Sequence, residues 1–293
     1  MEGRKSTIFA LNGVQAIEGK YRVKFAITYC SGDAAKKIPL VITNQSFEYE
    51  RHLEFESKEG FKGCIYLNDC FYVAEYNRVM KFNKDLKLEQ MVQVGIDNHA
   101  LTYHDGNLYV VSTGEGIVYQ LDFYTLVPKG KILHETAMGE FIGSGSHINS
   151  VSYIGEYPVI TVHNKDREGY VYMSSFPIGW DKGWKNNIVI ARNLYQPHDF
   201  YPLEDGYLIN NSLVKQVVCC RVPIERSWSQ LVMEYTRGLE VYGKNVYVGC
   251  SGRNHRHSYV IQLDLETGRI KEQYELPERF GVEIYSIVKI FDD

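Results

Sequence analysis

The chain has 293 residues, a formal charge of -4, and 44% hydrophobic and 23% charged residues. That length buries a large core, as two ordinary domains or one repetitive domain, and the mild acidity gives no polyanion-seeking surface, so nucleic acid is excluded as a default partner. No run approaches the ~18 apolar residues of a membrane span, and the apolar stretch 8–11 is broken by Asn12-Gly13 before it could form a signal-peptide core, so a cytoplasmic protein without membrane contact is expected.

Residues 5–60 contain strand candidates at 7–11, 21–29, 39–43 and 47–55, separated by Asn12-Gly13, Ser31-Gly32-Asp33 and Asn44-Gln45. From Lys62 onward a repeat emerges when the turns are aligned. Strand 65–67, turn Asn68-Asp69, strand 71–73 and strand 79–82 match 101–103, turn Asp105-Gly106-Asn107, 108–111 and 117–121. Three further copies turn at Gly155-Glu156, Glu204-Asp205-Gly206 and Gly243-Lys244-Asn245. A fourth strand follows, as at 270–276, and the best helix candidate, 227–235, reads equally as loop and strand.

Four antiparallel strands per repeat, at periods of roughly 40 to 50 residues, are the signature of β-propeller blades, which pack radially because one blade cannot bury both its faces. The 23 Tyr, 13 Phe and 25 Gly suit such short strands and tight turns. The terminal stretch 285–291 reads as an innermost strand with nothing after it, while 5–60 supplies strands that lack such a partner. The expectation is therefore one all-β domain over 1–293, a propeller of six four-stranded blades with 5–60 and 285–291 sharing the closing blade. Five blades with an N-terminal cap is the alternative.

The six cysteines show no metal-ligand spacing and read as reduced thiols, and the adjacent Cys219 and Cys220 fall on opposite faces of a strand. In register, Lys62, His99, Asn149, His198, Arg237 and Tyr285 form a polar column just before the first strands. Glu75, Ser112, His163, Asn210 and Ser251 form a second at the ends of the second strands. Polar side chains converging on one channel mouth make a concave site. His99, His147 and His198 could present three imidazoles to one divalent metal ion, although His147 is two residues out of register. Lys62 and Arg237 would hold an anionic group, Glu75 or His163 would serve as general base alongside His99 and His198, and Ser112, Asn149, Asn210 and Tyr285 would contact substrate. On this reading the ligand is small and anionic or sugar-like, and an enzyme would be a lyase or hydrolase. The alternative is a non-catalytic scaffold for a protein or peptide, with the histidines and their neighbours bonding backbone at blade junctions.

Other features point elsewhere. His255 and His257 alternate with cations as solvated surface, and His52, His104 and His134 have no sequence partner that suggests a site. Gly179-Trp180-Asp181-Lys182-Gly183-Trp184 could stack on a sugar or pack over a blade edge. The glycine-rich stretch 139–146 lacks the Lys and Ser/Thr of a phosphate loop, and no Gly-x-Ser-x-Gly elbow occurs in a strand-to-helix setting.

The turn Asp105-Gly106-Asn107 and the Gln-Leu-Asp strand ends at 120–122 and 262–264 resemble six-bladed propellers of the NHL and SMP-30/strictosidine-synthase type, over 62–291 and at the level of fold. For the lactonases and esterases of that group, the resemblance implies a divalent cation held in the channel by Glu, Asn and Asp. Here only Asn149 and Glu75 are of the right type, since His99, His198 and Arg237 stand where carboxylates would be wanted. In site chemistry the histidine-rich mouth is similar to propeller lyases that act on uronic-acid sugars with a His-bound metal.

Overall fold

The structure is a computed structural model that describes residues 22–133, 146–164, 167–174, 187–252 and 257–291. Within them lie six four-stranded antiparallel sheets. Five are runs of consecutive strands, at 64–93, 98–133, 146–194, 197–231 and 235–276, here the first to fifth blades. The sixth, closing blade pairs the C-terminal strand Ile284–Phe291 with Val23–Tyr29, followed by Leu40–Thr43 and Tyr49–Leu53. Its register, with Ala26 opposite Val288 and Ile27 opposite Ile287, joins the two ends of the chain and corrects the five-bladed alternative. The strand candidate 7–11, the tryptophan segment 179–184, His134 and His255 lie outside the described residues, as does 139–145 of the glycine-rich stretch.

Each blade is apolar on both faces, and the buried side chains fall into six clusters, one at each junction between neighbours. At the junction of the fifth and closing blades, Phe25 stacks on Phe47 at 4.8 Å and meets Tyr247 at 4.7 Å, geometry that adds to simple area burial. The hairpins follow from local turn chemistry, as with φ values of 52° and 55° at Asn68 and Asp69 and of 44° and 72° at Asp105 and Gly106. Two local readings are corrected. Gly32–Lys37 forms a short helix after Ser31, where a turn is expected, and the helix candidate 227–235 holds Trp228–Leu231, the outermost strand of the fourth blade. Its residues alternate between half-buried and exposed, a strand periodicity, and Trp228 Nε1 donates to Leu265 O of the fifth blade at 3.0 Å.

All six innermost strands carry a β-bulge at the same level. Two residues oppose one at Lys62-Gly63 against Ala74 and at His99-Ala100 against Val111. The register likewise skips Asn149, Asp199, Gly238 and Tyr285 in the remaining blades. Such a bulge re-aims one side chain and increases the local twist. Gly63 is required at its bulge because a Cβ there would lie 2.6 Å from His99 O and 2.7 Å from Ala100 Cα on the next blade. Near this level a hydroxyl staples several blades to a carbonyl at or next to the following bulge: Thr28 to Lys62 O at 2.6 Å, Thr113 to Ile148 O at 2.5 Å, Ser212 to Thr236 O at 2.6 Å and Ser251 to Ile284 O at 3.3 Å.

Candidate functional site

The bulges divide the channel. On one side is a cavity of about 290 Å³ at the mouth, on the other a lumen of about 820 Å³, and Tyr285, the extra residue of the closing blade, lines both. The mouth collects Lys62 from the first blade, Asp97 and His99 from the second, His147 from the third, Arg237 from the fifth, and Glu283 and Tyr285 from the closing blade.

Asp97, which immediately precedes the innermost strand of the second blade with φ of 55°, organises one wall. Its Oδ1 contacts Lys62 Nζ and lies 3.3 Å from His99 Nε2. Lys62 also reaches Glu59 at 3.5 Å. One ligand atom from each of Asp97, His99 and His147 lies within 4.8 Å of the others, and the two imidazole rings meet edge-on at 5.2 Å. Burial depresses both imidazoles to about 4, against the pull of Asp97 and with help from the positive charge of Lys62. Both are neutral at pH 7. Burial works against the Asp97 charge, yet the carboxyl lies well below its ordinary range, with the positive charge of the contacting Lys62 favouring it.

The tautomer of His99 follows from the third blade. Asn149 Nδ2 donates to Pro197 O at 2.7 Å. A carbonyl oxygen can only accept, so the amide oxygen of Asn149 faces His99 Nδ1, 3.2 Å away, and that nitrogen carries the proton. The lone pair of the neutral ring is then on Nε2, towards the carboxylate of Asp97.

The opposite wall is cationic. The Arg237 guanidinium lies between the rings of Tyr235 and Tyr285, at 5.2 and 4.9 Å from their centroids. Its Nη1 reaches Cys30 Sγ and Glu283 Oε2, each at 3.5 Å. Burial pushes the Cys30 thiol up, so it stays protonated.

Of the residues read from the sequence, Lys62, His99, His147, Arg237 and Tyr285 line the mouth, and Asn149 supports it from below. His198 does not join His99 and His147: it lines the lumen instead, with Nδ1 3.0 Å from Ser212 Oγ and 2.9 Å from Gln196 O. His163 stands behind His147, rings 5.6 Å apart, and does not line the mouth. Glu75 is held by Lys58 N at 2.7 Å and Arg78 Nε at 2.5 Å. Ser112 accepts from Ile96 N at 2.8 Å and donates to Glu115 at 2.7 Å, and Asn210 donates to Asp199 at 2.9 Å. These three are fully buried and line neither cavity. The column at the second-strand ends is thus polar because it satisfies buried backbone and charge.

Sequence reading missed Asp97, Glu283 and Asp199. Asp97 carries one local signal, its place two residues before His99 at the start of a strand.

No sequence-family model and no curated protein matches the chain. Solved structures do. A protein of unknown function from Bacteroides caccae is 13% identical with a TM-score of 0.68, the match covering 91% of this chain and 98% of that one. A chain of a nidogen/laminin complex gives 11% and 0.65, with coverage of 91% and 98%. A luciferin-regenerating enzyme gives 12% and 0.56, with coverage of 77% and 78%. At these identities the likeness is one of fold.

Proposed function

We propose that the mouth of the ring binds one divalent metal ion through Asp97, His99 and His147, and with it a small anionic or sugar-like metabolite, as the site of a lyase or hydrolase. The propellers it resembles include both an enzyme and a partner in a protein complex, so the site must choose between these classes. The observation that carries the reading is the facing of two acceptors. The Asn149 bond leaves the Nε2 lone pair of His99 directed at a carboxylate oxygen 3.3 Å away. Two neutral imidazoles beside one carboxylate form a donor set suited to a first-row divalent ion. Asn149 then acts as the outer partner that fixes a metal-bound imidazole. When bound, the ion would act as a Lewis acid on a substrate oxygen. The chain's own residues supply the rest: Lys62 offsets the charge of Asp97, Arg237 is fixed by its two aromatic neighbours, and Tyr285 closes the floor.

Metal analysis of the dialysed protein tests this. About one divalent ion per chain is expected, lost in His99→Ala and in His147→Ala but retained in His198→Ala. Wild-type protein without metal, or equal loss in the His198 variant, would sink the reading.

A further inference from the structure

The larger cavity, the lumen of about 820 Å³, takes no part in the metal reading. Tyr285 lies at its floor, and the exposed turn residues Asn68 and Asp69 line its other end, so it opens on the face opposite the mouth. Phe291 of the closing blade also lines it, and the strand from Tyr285 to Phe291, at about 3.3 Å per residue, makes it roughly 20 Å deep.

Four polar side chains from four blades line this space with hydrogen-bonding capacity to spare. Asp199 Oδ2 is taken by Asn210 and Gly238, but Oδ1 makes no hydrogen bond among the described residues and keeps accessible surface. The hydroxyls of Thr102, Ser152 and Ser286, on the second, third and closing blades, also have no partner among the described residues, and all three residues are partly exposed where they line the lumen.

Charge decides which ligand suits them. Among the lining residues Asp69, Asp199 and Glu240 stand against Lys289, an excess of two negative formal charges. Lys289 Nζ is already held by Glu240 Oε1 at 3.2 Å and Val241 O at 2.9 Å, and Arg237 lines the mouth, where its Nη1 reaches Cys30 and Glu283. Water can fill the lumen but cannot neutralise Asp199. A carboxylate oxygen without a donor, in a partly desolvated space, is completed best by a cation that donates hydrogen bonds, and the three free hydroxyls favour a ligand with hydroxyls of its own.

We propose that the lumen is a second binding site, entered from the face opposite the mouth, in which Asp199 receives the ammonium group of a hydroxylated primary amine, an amino sugar or amino alcohol, and Thr102, Ser152 and Ser286 bond its hydroxyls. The lumen has roughly the volume of 27 liquid waters, room for a ligand of one or two sugar rings. Neither the metal ion nor the imidazoles of the mouth take part.

Calorimetry on the full chain at pH 7.5 tests this with glucosamine, ethanolamine, N-acetylglucosamine and phenethylamine. At that pH Asp199, raised by burial to about 6, is ionised. At least one of the two hydroxylated amines should bind roughly tenfold or more tighter than N-acetylglucosamine and tighter than phenethylamine, with the same affinity in protein loaded with manganese(II) and in protein stripped by chelator. Asp199→Asn should weaken it at least about tenfold, and Thr102→Val and Ser286→Ala each about threefold. If Asp199→Asn fails to fold, the two hydroxyl variants decide. No binding of either hydroxylated amine, glucosamine and its acetylated form bound alike, phenethylamine preferred to both, affinity lost with the metal, or Asp199→Asn indistinguishable from wild type would each overturn the lumen site. Its failure leaves the metal reading standing, because metal analysis reads the mouth alone.

Discussion

Asp199 is the extra residue of the fourth-blade bulge, with φ of 45°, and its carboxylate lies in the lumen. Its Oδ2 accepts from Asn210 Nδ2 and from Gly238 N, both at 2.9 Å. Burial nevertheless dominates, raising the group from 3.8 to about 6 against those two bonds and the charge of Arg237. The folded state therefore binds the proton more tightly than the unfolded state. The stability this group contributes is fully present below about pH 3.8 and is lost as the pH rises through about 6. In full that is about 3 kcal/mol, and lumen water reduces it to about 2 kcal/mol. Asp199→Asn removes the charge while an amide oxygen can still receive both donors, and Asn tolerates positive φ as Asp does. The variant should be about 2 kcal/mol more stable than wild type at pH 7.5, a rise in Tm of roughly 4–8 °C, and the gain should vanish towards pH 4. Thermal melts of both proteins at the two pH values measure it. A less stable variant at pH 7.5 would show that Arg237 and the two donors outweigh desolvation, and a pH-independent difference would assign the change to packing. Either result refutes the reasoning.

Gly63→Ala should lower stability by about 2 kcal/mol, because the new Cβ meets backbone of the second blade, which cannot move aside as a side-chain tip could; the shift falls on His99, so manganese affinity should fall with the Tm. Truncation before Ile284 removes the innermost strand of the closing blade and exposes the edge of Val23–Tyr29; the product should show no cooperative melt and should aggregate on gel filtration, and a monomer melting like wild type would contradict the closure. Asn149→Ala should reduce metal affinity by roughly 10–100-fold by releasing the His99 tautomer, and unchanged affinity in a competition titration would mean that Asn149 does not orient the ring.

The hairpins and the ring closure are legible in the sequence because their causes are local or follow by elimination. Positive φ at Asp105-Gly106 is encoded in the two residues that adopt it, and the terminal strand needs a partner that only the N-terminal strands can supply. The site is less legible because it joins residues from several blades. Lys62 and Asp97 are 35 positions apart and meet only because the first and second blades are neighbours at the ring mouth. The polar column at the second-strand ends misleads for a different reason. Ser112, Asn210 and Glu75 are polar because buried amides and charges around them need partners, and no periodicity separates that need from ligand binding.

The bulge also explains why the first polar column mixes two levels of the channel. Lys62, His99, His198 and Arg237 precede the extra residue of their blades, whereas Asn149 and Tyr285 are the extra residue of theirs. Where the preceding residue is a long polar side chain directed to the mouth, as at Lys62, His99 and Arg237, the bulge is filled by Gly63, Ala100 or Gly238. Where the preceding residue is core, as at the fully buried Ile148 and Ile284, the bulge carries Asn149 or Tyr285. The fourth blade alone places two polar residues here, His198 and Asp199, and both line the lumen. Five blades thus supply the mouth, the second with Asp97 and His99 and the closing blade with Glu283 and Tyr285, and a small residue follows each of the long side chains Lys62, His99 and Arg237. Enlarging Gly63 should therefore disturb His99 on the next blade, shortening Asn149 should disturb His99 and Pro197 on the blades to either side, and shortening Tyr285 should loosen Arg237 on the fifth blade.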